Sequence, residues 1–552
     1  MLGENFINTI SILVIEEKNG RNPRGNILSE PCILKQFIEN DYVRKFVQLE
    51  EYKMTIQKDS KDKISGLKSN DFFSGVVKIL RKAKPGPVIL QVSDGVCTID
   101  AVSKECEFET GDVIKLSGFV NERAGRMQIE IKSVFKSDKN FDDILEENSK
   151  PKRQELSMQS DKLEKLKPYF LKIAARIRRS IFDGQPIMIR HHADADGITS
   201  ALCIEKACVS LMTEIGMESH YNFFRSPSKA PFYEVMDVLK DITFSTKFIA
   251  GHGQKKPLIL ILDNGSTPED VFAMKICKDL GYEVIVIDHH NPVEYEGNKT
   301  AVCPYVSLHV NPYMEGFDGQ VTAGMECYEI ARFVNETFDN KVLPALSAIG
   351  DRSDIDEAHA YIKNSGVPEE ELRDMVIALD YLAYNLRHDS GKGVYEEVLD
   401  NKAFVKTLIS QVNKGVETQL QSTLPYLRTQ TIGGVCFSYI DLAKYTLRFT
   451  YPTPGKLIGI IHDQVKTGKE AQPVLSLGIL PDMIIFRATE PVLPVQEVID
   501  RLQKEVPEAN VDGGGHECAG TIKFVEAHKD YVFESIKRML REKREAQMKL
   551  EE

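Results

Sequence analysis

Three short apolar runs in the middle of the chain are each followed directly by acidic and imidazole side chains. The runs are PIMIR, PLILIL and EVIVI, and stretches with a helical pattern separate them. Uninterrupted apolar runs of this length are typical of strands buried on both faces of a parallel sheet. In an open α/β sheet the carboxyl ends of the strands form the crevice where ligands bind. We therefore predict an α/β domain in which three strands deliver polar side chains to one rim.

The side chains at these strand ends are mainly aspartate and histidine. PIMIR continues into HHADADG, PLILIL into DNGS, and EVIVI into DHHNP. Residues two apart in an extended backbone project to the same side, so His192, Asp194 and Asp196 can converge on one point. Asp263 follows the second strand, and Asp351 closes the later apolar segment PALSAIG in the same manner. The pattern predicts a cluster of carboxylates and imidazoles at the rim.

A cluster of this kind needs a cation to neutralise it. Burying carboxylates without compensation is costly, and no block of lysine or arginine lies nearby in the sequence. Mixed carboxylate and imidazole ligands without a thiolate favour Mn²⁺ or Mg²⁺ over structural zinc. The candidate ligands outnumber what one ion needs. Two ions about 3.5–4 Å apart, bridged by one carboxylate, form the arrangement that hydrolyses phosphoesters.

Together, the motifs HxDxDG, DNG and DHH, the later Asp351 and the downstream GGGHECAG resemble the DHH phosphoesterase superfamily with its accessory DHHA1 domain. The resemblance covers residues 166–525. The sequence before this region predicts a β-barrel. With that barrel, the chain resembles the archaeal RecJ-like single-strand exonucleases within the superfamily. Arg190 stands where other branches carry a histidine, which favours the RecJ-like branch, and Cys518 stands where the accessory motif often has alanine.

Transferred residue by residue, the resemblance implies two metal-binding sets that share Asp263. The first set is His192, Asp194 and Asp263. The second set is Asp196, Asp263, His289 and Asp351. The resemblance also implies that Asp288 orients the cluster and that His290 contacts the scissile phosphate. Mn²⁺ is favoured over Mg²⁺ as the ion.

The resemblance places substrate binding on the downstream motif. The implied contacts are Arg487 in the strand MIIFRA and the run Gly513, Gly514, Gly515 and His516. For the glycines, a tight loop that needs positive φ is the structural alternative. Four basic residues precede the first strand and are predicted as a solvated helix face: Lys172, Arg176, Arg178 and Arg179.

The length of the chain and the changes in its sequence pattern predict several domains, because 552 residues are too many to fold around one hydrophobic core. The predicted order is a small N-terminal domain (1–68), an OB-like β-barrel (69–136), a linker (137–165), the DHH domain (166–355), a helical connection (356–424) and a mixed α/β DHHA1 domain with a C-terminal helix (425–552). In the barrel, the residues predicted to contact single-stranded nucleic acid are Lys78, Arg81, Lys82, Lys84 and Phe119. A purely structural barrel with Phe119 in its core stays open as the alternative.

Composition excludes several classes of protein. The net charge of −12 excludes a generally basic protein that coats nucleic acid, although it allows a local basic groove. The ten cysteines form no CxxC pair, which indicates a reducing cytoplasm. No window approaches the roughly 18 apolar residues of a membrane span. The acidic residues near the N-terminus argue against a secretion signal.

The leading hypothesis is a metal-dependent exonuclease on single-stranded nucleic acid. The resemblance favours DNA over RNA and 3′-to-5′ polarity, and it implies work in repair or replication beside a helicase or fork complex. A phosphoesterase for short oligonucleotides, phosphoadenosine-type compounds or cyclic dinucleotides is the first alternative, although it leaves the long N-terminal region unexplained. A non-catalytic replication scaffold is the second, and the complete ligand set argues against it.

Overall fold

The computed structural model describes residues 60–84, 86–228, 230–293, 295–386, 389–447, 449–467, 472–516 and 518–551. Of the small domain predicted over 1–68, residues 1–59 lie outside this description. The described chain forms two compact units. The first comprises residues 60–147 with Ile215–Met217 and His252–Gln254, and the second comprises the rest.

The first unit contains a closed five-stranded barrel with the strand order β1-β2-β3-β5-β4. Its strands are β1 (Phe72–Ala83), β2 (Val88–Ser93), β3 (Thr98–Ser103), β4 (Val113–Arg123) and β5 (Arg126–Lys136). Among these five strands, β3 and β5 pair in parallel, and the other neighbouring strands pair antiparallel. Along β1 and β4, buried residues alternate with more exposed ones, because successive side chains of a strand point to opposite faces. The predicted barrel is confirmed.

The second unit begins with helices and a five-stranded parallel sheet in the order β12-β9-β8-β6-β7. The strands are β6 (Ile187–His191), β7 (Phe223–Pro227), β8 (Leu258–Leu262), β9 (Glu283–Ile287) and β12 (Leu308–Val310). Two short strands, β10 (Tyr295–Glu296) and β11 (Lys299–Thr300), form a separate hairpin. Helix α1 (Asp142–Ser149) lies mostly in the first unit. The helices of the second unit up to this point are α2 (Asp161–Phe182), α3 (Ala195–Glu214), α4 (Ser219–Asn222), α5 (Val235–Phe244) and α6 (Val271–Asp279). Every residue of β6 and β8 is buried, as the uninterrupted apolar runs predicted.

A helical segment follows the parallel sheet. Its helices are α7 (Ala323–Val334), α8 (Val342–Gly350), α9 (Asp356–Ser365), α10 (Glu369–Leu386), α11 (Val394–Asp400) and α12 (Lys402–Thr423). Helices α7 and α8 pack against α3, whose residues are buried on nearly every side. A helix that is apolar all round is stable only in such an interior position.

The C-terminal part of this unit is a mixed six-stranded sheet in the order β13-β14-β15-β16-β18-β17. Its strands are β13 (Arg428–Ile432), β14 (Val435–Asp441), β15 (Val474–Ile479), β16 (Met483–Ala488), β17 (Asp512–His516) and β18 (Ala519–Lys523). Its helices are α13 (Leu442–Tyr445), α14 (Pro454–Lys466), α15 (Val495–Glu505) and α16 (Lys529–Glu551). The predicted order of barrel, parallel sheet and mixed sheet is confirmed. No helix in the described ranges has the length and apolar character needed to cross a membrane.

The predicted solvated face of α2 is wrong for Arg178. Arg178 is 5% exposed, and its guanidinium donates hydrogen bonds to the carbonyl oxygens of Val334 (2.6 Å) and Asn148 (2.8 Å). Arg176 donates to Glu283 at 2.8 Å. These arginines join α2 to neighbouring elements, which a charge pattern along one helix does not reveal.

Candidate metal centre

The strand register brings the three polar motifs side by side. His191 of β6 pairs with Leu262 of β8, and Leu262 pairs in turn with Ile287 of β9. These are the last residues of their strands, so His192, Asp263 and Asp288 start from neighbouring positions at one edge of the sheet. The rim predicted from the sequence is thus formed by β6, β8 and β9.

Two groups of possible ligand atoms overlap at Asp263. One group is His192, Asp263 and His290, and the other is Asp196, Asp263 and His289. Within each group the ligand atoms lie within 4.8 Å of one another. Asp263 is 1% exposed and adopts a φ of 57°, a left-handed conformation that is uncommon for residues other than glycine. This backbone geometry belongs to the one residue that both groups share.

The remaining predicted ligands border these two groups. Asp351 ends α8, and its Oδ2 lies 3.1 Å from Nε2 of His289. Asp194 lies beside the other group, with Oδ2 at 2.9 Å from Nδ1 of His192. Its Oδ1 accepts a hydrogen bond from the backbone N–H of Gly197 at 3.0 Å, in the first turn of α3. The six predicted ligands therefore lie around one point.

Asp196 lies in α3, but its carboxylate is held by the N-terminus of α7. Its carboxylate accepts hydrogen bonds from the backbone N–H groups of Ala323 (3.0 Å) and Gly324 (2.8 Å), the first residues of α7. A Cβ added at Gly324 would lie 2.4 Å from Cβ of Ser347 and 2.8 Å from the Asp196 carboxylate. Glycine is required here because α7 approaches Asp196 so closely.

Asp288 orients the loop that carries both histidines. Its Oδ1 accepts hydrogen bonds from the backbone N–H of His289 (2.8 Å) and of His290 (3.2 Å), while Oδ2 accepts from the N–H of Ser266 (3.0 Å). Nδ1 of His290 lies 2.8 Å from the same carboxylate. Burial raises the pKa of Asp288, but His290 and these donors outweigh it and the net pKa is lowered.

The ring of His289 is oriented by a backbone carbonyl group. Nδ1 of His289 lies 2.6 Å from the carbonyl oxygen of Gly319, which makes Nδ1 the donor and turns Nε2 toward the carboxylates. Nε2 lies 3.2 Å from Oδ1 of Asp263. A histidine that binds a metal commonly donates its other ring N–H to a carbonyl in this way.

The residues fit a divalent cation. Both carboxylate oxygens of Asp263 and Nε2 of His289 are buried without a well-formed hydrogen bond to any residue that the structure describes. Burial and the neighbouring Asp194 carboxylate raise the pKa of Asp263, and burial together with Asp263 and Asp351 raises the pKa of Asp196 well above its usual value. A cation would relieve this repulsion and satisfy the buried oxygens.

Known proteins share this domain. The family model described as the DHH family, N-terminal domain, matches residues 186–348. The uncharacterized protein MJ1198 of Methanocaldococcus jannaschii is 35% identical over 509 residues, which cover 83% of this chain and 66% of that protein. A solved DHH domain, from a protein described as a member of the s1p family of ribosomal proteins, is 36% identical with a TM-score of 0.70, and the match covers 72% of this chain and 96% of that one. This chain belongs to the DHH family.

DHH family members are metal-dependent phosphoesterases that use divalent cations. RecJ from Thermus thermophilus, solved in complex with Mn²⁺, matches more distantly, at 16% identity and a TM-score of 0.46 over 71% of this chain and 56% of that one. The chain spans 66% of the length of its M. jannaschii relative.

Sequence reasoning missed a link between the DHH domain and the C-terminal sheet domain. Asp380 on α10 accepts a hydrogen bond from the backbone N–H of Ala195 at 3.1 Å, between the candidate ligands Asp194 and Asp196. The same carboxylate forms an ion pair with Lys456 at the start of α14. The segment that carries Asp380 was predicted only as a helical connection, and no local motif marks this residue.

A second group that the sequence did not reveal supports the loops after β8 and β9. Oγ of Ser266 lies 2.9 Å from Nε2 of His309, and Asn311 donates to Oγ of Ser266 (3.0 Å) and to the carbonyl oxygen of His290 (2.9 Å). His309 and Asn311 are buried at the end of β12. The end of β12 thus holds the loops after β8 and β9 together.

The glycine run lies on the C-terminal sheet, in β17. Gly513 and Gly515 have φ values of 146° and 147°, and an added Cβ would lie 2.1 Å and 2.4 Å from backbone oxygens of β18. The close approach of β18 thus explains two of the three glycines. A Cβ added at Gly514 would meet open space. The side chain of His516 and the whole of Glu517 lie outside the described residues.

Arg487 lies on β16 and pairs with no carboxylate among the described residues. Its guanidinium donates to the carbonyl oxygen of Phe486 at 2.8 Å. Burial and the nearby Arg352 lower the pKa of Arg487. A half-buried arginine that forms no ion pair with a described residue is a suitable donor to an anion.

The barrel uses one of its predicted contact residues internally. The side chain of Lys82 is 4% exposed and donates to the carbonyl oxygens of Cys106 (3.0 Å) and Phe108 (2.8 Å). Phe119 is half-buried and packs edge-on against Phe72 at 5.1 Å. Lys82 therefore stabilises the barrel, and the prediction that it contacts single-stranded nucleic acid is wrong.

Proposed function

We propose that this protein is a two-metal exonuclease that hydrolyses phosphodiester bonds at the end of single-stranded nucleic acid, with DNA as the favoured substrate. The observation that carries the proposal is the pair of aspartate and histidine groups that share Asp263. One carboxylate between two cation positions is the arrangement that suits in-line displacement at phosphorus. The DHH family membership supports the same class of reaction.

Each cation position would be held by residues from several strand ends. His192, Asp194 and Asp263 would hold the first, with His290 facing the same position. Asp196, Asp263, His289 and Asp351 would hold the second. When bound, two Mn²⁺ ions would supply Lewis acidity to a water molecule and to the phosphoryl oxygens.

Other residues would place the substrate. Asp288 fixes the ring of His290 through Nδ1, and His290 would contact the scissile phosphate. On the C-terminal sheet, the open side of Gly514 would allow a phosphate to approach the backbone, while Arg487 and His516 would donate hydrogen bonds to phosphate oxygens. Asp380 and Lys456 join the two domains close to Asp194.

The finer features of the proposal rest on the sequence resemblance. These are 3′-to-5′ polarity, a role in DNA repair or replication, and a helicase or fork complex as protein partner. The barrel supports a strand longer than a dinucleotide, because a five-stranded barrel of this topology is a common single-strand binding module.

Metal removal tests the proposal directly. The purified full chain should release no nucleotide from end-labelled single-stranded DNA in EDTA, should recover activity with Mn²⁺, and should recover less with Mg²⁺. Parallel reactions contain single-stranded RNA, a dinucleotide and a cyclic dinucleotide, and oligonucleotides blocked at either end report polarity. Hydrolysis of the small substrates alone would make the protein a small-substrate phosphoesterase. No hydrolysis of any substrate with bound Mn²⁺ would make it a scaffold.

His516→Ala tests substrate binding by the glycine run. If His516 donates a charge-assisted hydrogen bond to a phosphate, its removal should lower kcat/KM on single-stranded DNA by about one to two orders of magnitude. Bound Mn²⁺ should stay unchanged. His528→Ala, on the same domain, is the matched control. Loss of metal in His516→Ala would make the residue a ligand, and normal turnover would make the glycine run structural.

A further inference from the structure

A small pocket with aromatic walls lies at one edge of the C-terminal sheet. Its volume is about 290 Å³, and β13, β14, α13 and the start of α16 contribute to it. The residues that line it include Tyr426, Arg428, Tyr439, Lys444, Tyr445 and Phe533. Neither the metal centre nor the glycine run uses any of them.

The aromatic side chains offer a flat surface for stacking. The rings of Tyr426 and Tyr445 are stacked, with centroids 4.0 Å apart and planes 9° from parallel. Tyr426 is 49% exposed, although burying a tyrosine ring is favourable. Tyr439 and Phe533 pack on each other at 4.9 Å. A planar aromatic ligand would extend the existing stack over Tyr426.

The charged side chains of the pocket favour an anion. Arg428 is exposed, and its guanidinium forms no hydrogen bond or ion pair with any residue in the described ranges. Lys444 and Lys529 share one carboxylate, since their Nζ atoms lie 3.6 Å and 3.2 Å from Oδ2 of Asp441. With Asp530, the pocket has three cationic and two acidic side chains. Arg428 is therefore the available partner for a phosphate.

The sheet order separates this pocket from the glycine run. β13 and β17 are the two opposite edges of the six-stranded sheet. Five steps between neighbouring strands, each about 4.8 Å, put the edges about 24 Å apart. One nucleotide cannot occupy both positions.

We propose that this edge pocket binds a nucleotide, with the base stacked on Tyr426 and the phosphate on Arg428. The nucleotide has two possible sources: a free mononucleotide of the kind that end digestion releases, or one unit of a bound strand outside the catalytic cleft. The strand source rests on the proposed function. Binding of a free mononucleotide in the pocket does not depend on the proposed function.

Tyr426→Trp tests binding, because the chain contains no other tryptophan. The full-length variant is titrated in EDTA, where no hydrolysis is expected, with deoxyadenosine monophosphate or with oligothymidylate. A stacked base should quench the indole fluorescence. Deoxyribose 5-phosphate should not quench it, and deoxyadenosine should bind more weakly because it lacks the phosphate. Adding Arg428→Gln should weaken mononucleotide binding by about tenfold or more.

Matched variants control for nonspecific effects. Tyr531→Trp places the indole on α16 at a residue that is 43% exposed and does not line the pocket, so its fluorescence should not change. Arg541→Gln removes an exposed charge elsewhere on α16 and should leave binding unchanged. Circular dichroism checks that each variant folds.

The outcomes separate the two sources and the two proposals. Quenching by the mononucleotide supports a free-nucleotide site, and quenching by the oligonucleotide alone supports a strand subsite. No quenching by either ligand, or quenching that Arg428→Gln does not weaken, overturns the pocket proposal. Digestion of single-stranded DNA with Mn²⁺ is measured on the same preparation. If digestion is absent while quenching persists, the exonuclease proposal fails and the pocket stands.

Discussion

Asp263→Ala is expected to lose at least about three orders of magnitude in kcat/KM on single-stranded DNA with Mn²⁺. Asp263 is the one residue common to both groups of possible ligand atoms, so its loss would remove a ligand from both cations. Bound Mn²⁺, measured on the same preparation by elemental analysis, should fall as well. Asp263→Asn keeps the volume of the side chain but removes its charge, and it should show the same losses.

The stability of the metal-free protein separates loss of metal from loss of fold. Burial and Asp194 raise the pKa of Asp263, so the ionised carboxylate destabilises the metal-free protein at neutral pH. Asp263→Asn should therefore unfold in EDTA at the same temperature as the wild type or a higher one. The rise in Tm that Mn²⁺ gives the wild type should be absent, because only binding to the folded state produces it.

Asp354→Asn is the matched control for this prediction. The Asp354 carboxylate is 89% exposed, lies three residues after Asp351 and pairs with His359 at 3.0 Å. Its replacement should leave both activity and bound Mn²⁺ unchanged. If Asp263→Asn kept kcat/KM within about tenfold of the wild type, a shared carboxylate between two cations could not be the catalytic arrangement.

The sequence predicted the rim of the sheet because strand burial leaves a strong local pattern. PIMIR and PLILIL are apolar at every position but the last of PIMIR, since both faces of β6 and β8 are covered. The polar residues that follow such a run must lie at the end of the strand. Parallel neighbours then place these residues side by side, so the meeting of His192 and Asp263 followed from elementary sheet geometry.

The residues that support this rim could not be predicted in the same way. Asp196 is held by N–H groups 127 and 128 residues further along the chain, and Asp380 reaches Ala195 from 185 residues away. Such contacts depend on how helices pack and leave no periodicity in the sequence. A charge pattern along α2 likewise predicted solvent for Arg178, since it contains no information about the carbonyl oxygens that α2 meets.

The grouping of the ligand atoms also required the structure. The resemblance implied Asp194 as the third member of the set with His192 and Asp263, whereas the atoms that lie within 4.8 Å of one another belong to His192, Asp263 and His290. A motif specifies residue types and order. It does not specify side-chain rotamers, which decide whether His290 faces the cation position, the phosphate or both.

Asp288→Ala is expected to destabilise the metal-free protein by about 2–4 kcal/mol and to abolish hydrolysis. Asp288 is fully buried and accepts from the N–H groups of Ser266, His289 and His290 and from the ring of His290. Without the carboxylate these donors stay buried and unsatisfied. The loop would lose the geometry that presents both histidines. Chemical denaturation in EDTA and kcat/KM with Mn²⁺ measure the two effects.

Asp288→Asn separates the charge of this residue from its shape. The folded protein lowers the pKa of Asp288, so the stabilisation by the ionised carboxylate is fully present above the unfolded value of about 3.9 and is lost as the pH falls toward the lower folded value. The difference in unfolding free energy between the wild type and Asp288→Asn should thus be constant from about pH 5 to 6 and shrink below about pH 4.

A difference for Asp288→Asn that grew on acidification would mean that the folded protein prefers a protonated Asp288. In that state the carboxyl group would donate one hydrogen bond where it now accepts several. His289 and His290 would then need another support, and the orienting role of Asp288 would be excluded.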